Sequence, residues 1–480
     1  MRRLIEEAFP LKKVSEDSKH EKSAGRKGHI STLHIWPARR PLAASRAAVI
    51  AALLPDPGDA PPEIRREYER MAGSSDPEKQ REELCARIEK VTRWGGMDER
   101  ELDILRGLIR KTYGGEPPKV LDIFAGGGAI PLEAMRLGAH AIAVEYNPVA
   151  WFILKCTLEF PSKLKGKTWP LPKEDGASAN GELFSRQDEQ GDLAAHVRYW
   201  GEWVRRHVEE ELAPYFPVVD GKPPVAYFWA RTVPCPDPKC GATVPLIKTL
   251  WVCTKKGRER ALRMRPNRKT KRVDFEVFCP NDGSEVGAGT VANAKVFCHF
   301  HSLPVVMGRD YIRSCGVQGR MGVQLAAVCV QGARTREYRN PLSVELEAAD
   351  RAIQDLANFL QQIPYGPLTE SVCDIEPVPP PNGARGTAQL PLYGIVNFGQ
   401  VFAPRQQLAL GVIAKWTRVA YEKVLSSTND QDLADAVLGF LYCVLARAAD
   451  RNSTICTWQT GGEFVRNTLA NTQRTPGGTR

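Results

Sequence analysis

The sequence predicts an α/β protein: a Rossmann-like sheet that carries a small inserted β module and several added helices. The first observation is the order of elements in residues 119–145, where an apolar strand, a glycine-rich turn, a helix, a second apolar strand and an acid follow one another. That order forms half of a nucleotide-binding sheet. Val120, Leu121 and Ile123 suit a parallel strand that is buried on both faces. The second observation is a later segment of short strands with paired cysteines, which predicts the inserted module.

The turn Asp122-Ile-Phe-Ala-Gly-Gly-Gly128 is neither the phosphate-binding pattern G-x-G-x-x-G nor a Walker loop. It has the form D-x-F-x-G-x-G and resembles the first motif of S-adenosylmethionine-dependent amino-methyltransferases. Its three glycines lack a Cβ, so the backbone can adopt positive φ and approach a ligand closely. A helix from about Ala129 to Leu137 directs its N-terminus at that ligand. Glu145, 23 residues after Asp122, suits a ribose diol. The alternative is a glycine-rich turn of another Rossmann-like enzyme.

Length and composition limit the class of protein. The chain has 480 residues, 42% of them hydrophobic and 25% charged, which suits a globular protein of two or three domains. No apolar run is long enough to span a membrane, and the N-terminus lacks the apolar segment of a signal peptide. We therefore expect a cytoplasmic protein without a membrane partner. In that compartment its twelve cysteines are thiols or metal ligands rather than a disulfide framework.

Changes in composition divide the chain into predicted segments. The region 161–192 is rich in Lys, Pro, Gly and Ser, which is typical of a linker or a surface loop. The predicted segments are an N-terminal segment (1–60), a charged helical region (61–115), the α/β core (116–160), a linker (161–192), a helix (193–224), a basic zinc-ribbon-like insert (225–315), a return to the α/β core with long helices (316–470) and a polar tail (471–480).

Periodicity predicts several further elements. Apolar residues recur every three or four positions from Leu193 to Leu212, which is the spacing of one helix face. Pro41 suits the first turn of a helix that continues to Leu54. The other predicted elements are a helix over 147–158, a buried strand over 323–330, and helices over 343–360, 404–424 and 430–449.

Positive charge is concentrated in one segment of the chain. Residues 255–272 contain ten basic side chains and one acid, which is +9 of the net charge of +10. This density predicts a polyanionic partner, and DNA is the one we expect. A solvated surface loop is the alternative. The basic side chains are Lys255, Lys256, Arg258, Arg260, Arg263, Arg265, Arg268, Lys269, Lys271 and Arg272.

Two pairs of potential metal ligands lie in the same region. Cys235 and Cys240 are separated by four residues, and a glycine directly follows Cys240, as in one knuckle of a zinc ribbon. Cys298 and His301 form a C-x-x-H pair that begins 58 residues after Cys240. Three thiolates and one imidazole complete a tetrahedral structural site, so we predict bound Zn²⁺. Scattered free cysteines are the alternative, and His299 is a competing ligand.

Six stretches of sequence, spread over most of the chain, are similar to a known family, and the first and the last of them are long and specific. They are residues 33–46, 122–128, 226–236, 289–291, 319–322 and 393–406. On these stretches the chain resembles the bacterial and archaeal family of adenine-specific DNA methylases that carry an inserted zinc ribbon. The resemblance implies a Rossmann-like methyltransferase fold with S-adenosylmethionine as methyl donor.

The resemblance also implies roles for individual residues. The stretch His34-Ile-Trp-Pro-Ala-Arg39, which contains Pro37, would close over the methionine end of the donor. Glu145 would hold the ribose, and Asn147 would lie beside the adenine. The zinc module and the basic segment would contact DNA or select its target. The residues of the glycine turn that would line the donor pocket are Asp122, Phe124, Ala125, Gly126 and Gly128.

The chain departs from the family in lacking the catalytic tetrapeptide of amino-methyltransferases. That motif is Asp, Asn or Ser, then Pro-Pro, then Tyr, Phe or Trp. It binds the exocyclic amine and stacks on a base flipped out of the duplex. None of the 36 prolines lies in such a motif, so the catalytic residues of this chain stay unassigned. We therefore expect them on a second polypeptide, or in a longer enzyme of which this chain is the N-terminal part.

The predicted function is methyl transfer from S-adenosylmethionine to an amino group of DNA, with adenine N6 preferred, in restriction-modification or phage defence. Transfer would go directly from sulfonium to amine, without a covalent enzyme intermediate or a catalytic metal. Two alternatives stay open. One is a donor- and DNA-binding subunit that is catalytically silent alone, and the other is a methyltransferase for RNA or for cytosine N4.

Overall fold

The structure of the 480-residue chain is a computed structural model. Within the residues it describes, the fold is mixed α/β and 50% helical, with small sheets, as the sequence predicts at this level. No helix in that part of the chain has both the length and the apolar character that a membrane crossing requires. The described residues are 1–23, 28–36, 39–93, 95–172, 190–293, 295–303, 305–363, 366–372 and 386–468.

The chain divides into two compact units. The first comprises Met1–Gly201 and Ala420–Val444, and the second comprises Glu202–Val419 and Leu445–Arg480. The helices are α1 (Leu4–Glu7), α2 (Leu11–Ser23), α3 (Leu42–Leu53), α4 (Pro62–Ala72), α5 (Pro77–Thr92), α6 (Glu99–Thr112), α7 (Ala129–Arg136), α8 (Pro148–Leu154), α9 (Phe160–Lys163), α10 (Leu193–Leu212), α11 (Arg309–Val317), α12 (Ser343–Gln362), α13 (Pro404–Thr428) and α14 (Gln431–Arg451). The strands are β1 (Lys119–Asp122), β2 (His140–Ala143), β3 (Trp169–Pro170), β4 (Gln190–Gly191), β5 (Pro224–Pro234), β6 (Thr243–Pro245), β7 (Trp251–Cys253), β8 (Arg260–Asn267), β9 (Arg272–Phe278), β10 (Val291–Ala292), β11 (Lys295–Cys298), β12 (Val305–Met307), β13 (Gly322–Gln331), β14 (Arg336–Arg339), β15 (Trp458–Gln459) and β16 (Phe464–Val465).

Helices α1–α7 of the first unit contribute to one apolar core. Ile50 of α3, Leu84 of α5 and Leu105 of α6 are each 1% exposed or less. Helices α5 and α6 begin where Asp76 and Asp98 accept hydrogen bonds from backbone N–H groups of the first turn, which stabilises their N-termini. Helix α3 is apolar on nearly every side, as a buried helix requires. The predicted helices in this unit are confirmed.

Strands β1 and β2 form a parallel pair, with Leu121 opposite Ile142. Val120 packs against the helical core. The prediction that this strand is buried on both faces is wrong: Leu121 is 59% and Ile123 56% exposed. The reason is that the described residues cover only one face of the β1–β2 pair: Val120 and Ala141 pack against the helical core, whereas Leu121 and Ile142 on the other face are exposed.

The second unit contains an antiparallel sheet in the order β14-β13-β5-β6. The predicted buried strand over 323–330 is confirmed from Leu325 onward, whereas Val323 is 58% exposed. Strand β13 pairs with β5 along most of its length, so residues on both sides of the predicted boundary at 315/316 share one sheet. A second sheet, β7-β8-β9, packs its Val252 and Leu262 with Ala326 of β13.

Some predicted features lie outside the described residues. These are Pro37, most of the predicted linker over 161–192, and the predicted tail over 471–480. The predicted helices over 343–360, 404–424 and 430–449 are confirmed as α12, α13 and α14, each extended by two to four residues. The apolar periodicity from Leu193 to Leu212 is confirmed as α10, but the predicted helical segment 193–224 is too long, because the α-helix ends at Leu212 and Ala213–Tyr215 form a 3-10 turn.

Candidate ligand-binding turn and metal centre

The glycine turn between β1 and α7 has the backbone conformation that glycine permits. Gly126 has φ +51° and Gly128 has φ +82°, both in the left-handed region. A methyl group at Gly128 would lie 2.9 Å from Cδ2 of Leu154 and 3.5 Å from Cδ1 of Leu158. The missing side chain therefore allows the helix after β2 to pack directly on the turn. That helix is α8, which continues into a π-helical turn, Lys155–Glu159.

Glu145 lies at the same end of the sheet, with its carboxylate on the turn. Oε2 accepts a hydrogen bond from Gly126 N at 2.7 Å, and Oε1 accepts one from Asn147 N at 2.9 Å. Hydrogen bonds from the backbone N–H groups of Asn147, Gly126 and Tyr146 hold the pKa of the Glu145 carboxyl below its usual range. A carboxylate has about four acceptor positions, so it keeps capacity for hydroxyl donors from a ligand.

Trp36 covers the glycine turn from the N-terminal segment. A methyl group at Gly126 would lie 2.9 Å from Nε1 of Trp36, and one at Gly127 would lie 3.5 Å from its Cδ1. The stretch that was predicted to close over a donor therefore contacts the turn through its tryptophan. The sequence prediction names Pro37 of this stretch and not Trp36, whose position inside the motif is the one sequence feature that indicates it.

The other predicted donor residues surround the turn. Asp122 Oδ1 accepts a hydrogen bond from Phe124 N at 3.1 Å, and Ala125 is buried. Phe124 is 81% exposed. Asn147 caps α8, since its Oδ1 accepts from Val149 N at 2.9 Å. The structure thus brings the described members of the predicted set to one end of the β1–β2 pair.

The predicted metal ligands of the second unit also come together. The sulfurs of Cys235, Cys240 and Cys298 and a ring nitrogen of His301 lie within 4.8 Å of one another, so this Cys3His cluster could hold a metal ion. Cys235 Sγ is 3.3 Å from His301 Nε2. The three cysteines are buried. Burial raises the pKa of the Cys298 thiol to about 12, so that a metal ion would have to displace its proton.

Local backbone geometry explains how each pair of ligands is presented. Cys240 N donates to Asp237 O at 3.0 Å, and Cys235 N donates to Ala242 O at 2.8 Å, which closes the C-x4-C loop. The glycine after Cys240 has φ +63°. Cys298 ends β11, and the turn to β12 carries the histidine.

A carboxylate that the sequence did not single out lies beside the histidine. Asp237 Oδ2 is 3.8 Å from Nδ1 of His301. An acceptor on that side favours a proton on Nδ1 and leaves Nε2 as the ligand atom. The donor types, their burial and their separation fit Zn²⁺, which prefers four sulfur and nitrogen ligands in a tetrahedron.

The basic segment is a β-hairpin rather than a loop. Strands β8 and β9 pair over seven consecutive positions, from Ala261 with Phe278 to Asn267 with Arg272. Ala261 and Leu262 are buried, which anchors the hairpin on the unit. The four basic residues around its turn are exposed: Arg268, Lys269, Lys271 and Arg272.

A buried carboxylate binds two cations near the start of the segment. Glu463 is 3% exposed, and its Oε2 lies 2.6 Å from Lys255 Nζ and 2.8 Å from Arg258 Nη2. Its Oε1 accepts from the Tyr338 hydroxyl at 3.1 Å. Burial opposes ionisation of Glu463, but the hydrogen bonds and the two cations outweigh it and lower its pKa. Lys255 and Arg258 therefore have a structural role.

Two further cations are paired on the hairpin itself. Glu276 Oε2 lies 2.6 Å from Arg265 Nη2 and 3.5 Å from Arg263 Nη1. The remaining basic side chains form no ion pair with a described residue: Lys256, Arg260, Arg268, Lys269, Lys271 and Arg272.

Comparison with known proteins gives one partial match. A family described as a protein of unknown function (DUF1156) matches residues 8–87. That segment contains Trp36 and Arg46 and ends before β1. No curated protein and no solved structure matches the chain.

Proposed function

We propose that the chain binds S-adenosylmethionine at the glycine turn and is the donor-binding part of a DNA amino-methyltransferase of the adenine-N6 type, with a Rossmann-like core. The observation that carries the proposal is the Glu145 carboxylate, which is fixed on the turn by backbone N–H groups at the end of two parallel strands. Ligands of open α/β sheets bind at that end of the strands.

Each part of the site has a role in this proposal. The turn approaches the donor closely, Glu145 accepts from the ribose hydroxyls, and Trp36 covers the methionine end. The bound donor supplies an electrophilic methyl group. Zn²⁺ at the Cys3His cluster stabilises the β10–β12 region, and the exposed cations of the β8–β9 hairpin contact DNA phosphates. The catalytic tetrapeptide would come from a second polypeptide or from a further part of a longer enzyme.

Gly126→Asp is expected to abolish binding of S-adenosylmethionine, measured by titration calorimetry. The new carboxylate would lie beside Trp36 and next to the Glu145 carboxylate, filling and charging the donor pocket. Gly138→Asp is the matched control, because Gly138 also has a positive φ (+81°) but has open space around its Cβ position. Equal affinity of the two variants for S-adenosylmethionine would contradict the assignment of the donor site to the glycine turn.

Glu145→Gln is expected to weaken donor binding by about 1.5–3 kcal/mol, roughly tenfold or more, because a charge-assisted acceptor is lost. The amide would also present an N–H₂ group to a backbone donor. Glu159→Gln, which removes an exposed carboxylate from the π-helical turn, serves as control and should bind normally. Unchanged affinity in Glu145→Gln would remove the ribose contact from the proposal.

Arg268→Ala/Lys269→Ala is expected to weaken DNA binding at low salt and to reduce the slope of log K against log [salt] by about 2, because two phosphate contacts are lost. The control is Lys165→Ala/Lys167→Ala, which removes two exposed lysines from the first unit. An identical slope in parent and hairpin variant, from fluorescence anisotropy with duplex DNA, would exclude the hairpin as the DNA contact.

A second candidate function follows from the absence of the catalytic tetrapeptide in the sequence. The chain would then be a donor- and DNA-binding subunit without activity of its own. Methyl transfer to DNA by the isolated chain would refute this candidate. Labelled-methyl incorporation into DNA, RNA and adenine-depleted DNA would separate adenine N6 from cytosine N4 and from an RNA substrate.

A further inference from the structure

Strand β5 of the second unit has two faces with different surroundings. On one face Phe228 packs with the β7–β9 sheet. Because side chains alternate along a strand, Tyr227, Trp229 and Arg231 project from the other face. The Arg405 guanidinium covers Tyr227 on that face, with its Cζ 3.9 Å from the ring centroid. Trp229, two residues further along the strand, is 40% exposed.

Arg231 is a half-buried cation without a carboxylate partner. Its Nη2 donates to Thr454 Oγ1 at 3.1 Å, and it forms no ion pair with a described residue. Burial lowers the pKa of the guanidinium, and no carboxylate opposes that shift. Because arginine stays protonated in proteins, an uncompensated positive charge lies at this position.

The other N–H groups of Arg231 are available to a ligand. A guanidinium has five donors, and Thr454 accepts from one nitrogen. Nε and Nη1 are not among the buried nitrogens that lack a partner in the described chain, so they reach the surface. Thr454 is itself fixed, because its N and its Oγ1 both donate to Val401 O, at 2.9 and 2.8 Å. The guanidinium is therefore held in place before a ligand binds.

Two of the stretches on which the family resemblance rests meet around this site. Trp229 and Arg231 belong to residues 226–236, and Val401 belongs to residues 393–406. Thr454 connects the two stretches through its hydrogen bonds with Arg231 and Val401. Apart from Cys235, neither stretch has a role in the proposed donor site or in the metal centre.

We propose that Trp229 and Arg231 bind one nucleotide of a single-stranded nucleic acid, with its base stacked on the indole and its phosphate on the guanidinium. Alternate residues of a strand are about 6–7 Å apart, which is comparable with the separation of phosphate and base within a nucleotide. Val323 lies opposite Arg231 on β13 and is 58% exposed, so it extends the apolar surface beside the indole.

The combination of charge and ring favours a nucleotide over other anions. An inorganic anion would contact the guanidinium and leave the indole uncovered. A base inside a duplex has both ring faces covered by its neighbours, whereas an unpaired base can stack on an aromatic side chain. The second unit also carries the cations of the basic segment that form no ion pair with a described residue, and such charge favours a polyanion.

The inference goes beyond the proposed function and does not rest on donor binding. The proposed function assigns DNA phosphates to the exposed cations of the β8–β9 hairpin. That hairpin belongs to the sheet that packs on the Phe228 face of β5, whereas Trp229 lies on the opposite face. The two contacts can fail independently, because duplex binding tests the hairpin and single-strand binding tests Trp229 and Arg231.

The first test is fluorescence anisotropy with a labelled oligothymidylate of about 12 nucleotides. Trp229→Ala is expected to weaken binding by about five- to hundredfold, because base stacking is lost. Trp229→Phe keeps an aromatic ring and should retain most of the affinity. The control is Trp151→Ala, which removes a 52% exposed tryptophan from α8 of the first unit. Equal affinity of Trp229→Ala and the parent protein would overturn the inference.

The second test concerns the phosphate. Arg231→Gln is expected to weaken binding of the same oligonucleotide and to reduce the slope of log K against log [salt] by about 0.7, because one phosphate contact to a single strand is lost. Arg231→Lys keeps the charge and should keep the slope. Arg205→Gln is the control, since it removes one positive charge from an exposed ion pair on α10. An unchanged slope in Arg231→Gln would contradict the phosphate contact and overturn the inference.

A third measurement uses the unaltered protein, so it does not depend on the folding of a variant. An oligonucleotide that contains 5-iodouracil is cross-linked to the protein by light, and the attached peptide is identified by mass spectrometry. We expect the peptide that contains Trp229. Cross-links confined to the β8–β9 hairpin would overturn the inference. Thymidine monophosphate that binds as tightly as the oligonucleotide, with both weakened by Trp229→Ala, would indicate a site for free nucleotides and would overturn the assignment to a strand.

Discussion

Cys298→Ser is expected to remove bound zinc and to unfold the region around the Cys3His cluster. Protein purified without any chelator should contain one Zn²⁺ per chain, measured by elemental mass spectrometry. A structural zinc site contributes on the order of ten kcal/mol of folding free energy. The small core beside the cluster, which includes Val244, Val296 and Met307, has no long helix of its own to compensate.

The effect should be local and specific to the cluster. Hydrogen exchange is expected to rise over strands β6, β11 and β12 and to stay unchanged over α3–α7 of the first unit. Cys279→Ser is the matched control, since Cys279 is exposed and lies outside the cluster. Parent protein with well under one zinc per chain, or a Cys279→Ser variant that loses zinc equally, would contradict the assignment.

The sequence predicts correctly those structural features that depend on residues close together in the chain. The strand, turn and helix around Gly126 follow from residues within one short segment, and the φ values of the turn agree with its glycines. The metal ligands are also local in pairs, Cys235 with Cys240 and Cys298 with His301. Only the meeting of the two pairs, the second of which begins 58 residues after Cys240, is long-range, and the chemistry of the four donors was enough to predict it.

The features that were missed depend on long-range packing. Trp36 contacts a turn that lies 90 residues later, and no local periodicity encodes that contact. No sequence feature distinguishes Asp237 from the other acidic residues, and only the structure shows that it lies beside His301. The burial of Leu121 was predicted from its apolar character. Apolar character favours burial but does not say which element covers the side chain, and none of the described residues covers Leu121.

Breaking the buried ion pair between Arg46 of α3 and Glu133 of α7 is expected to destabilise the first unit by about 3–5 kcal/mol, because one charge stays buried without a partner. Arg46 is 1% and Glu133 0% exposed, and two hydrogen bonds join them, Nε to Oε2 at 2.6 Å and Nη2 to Oε1 at 3.1 Å. The guanidinium also donates to the Val91 carbonyl. The pair therefore links α3 to the helix that begins at the glycine turn.

Glu133→Gln keeps the shape of the side chain, and we expect it to lower the free energy of unfolding in urea by the full amount. The double variant Arg46→Met/Glu133→Leu should recover much of that free energy, because no unpaired charge remains. The control is Glu202→Gln on α10. Arg205 forms the same two kinds of bond with Glu202, at 2.9 and 2.6 Å, but in solvent, where a pair contributes at most about 1 kcal/mol. If Glu133→Gln and Glu202→Gln lower the free energy of unfolding by similar amounts, burial does not determine how much the Arg46–Glu133 pair contributes to stability. A loss confined to Glu133→Gln, with donor binding weakened in parallel, would show that the turn relies on this pair for its position.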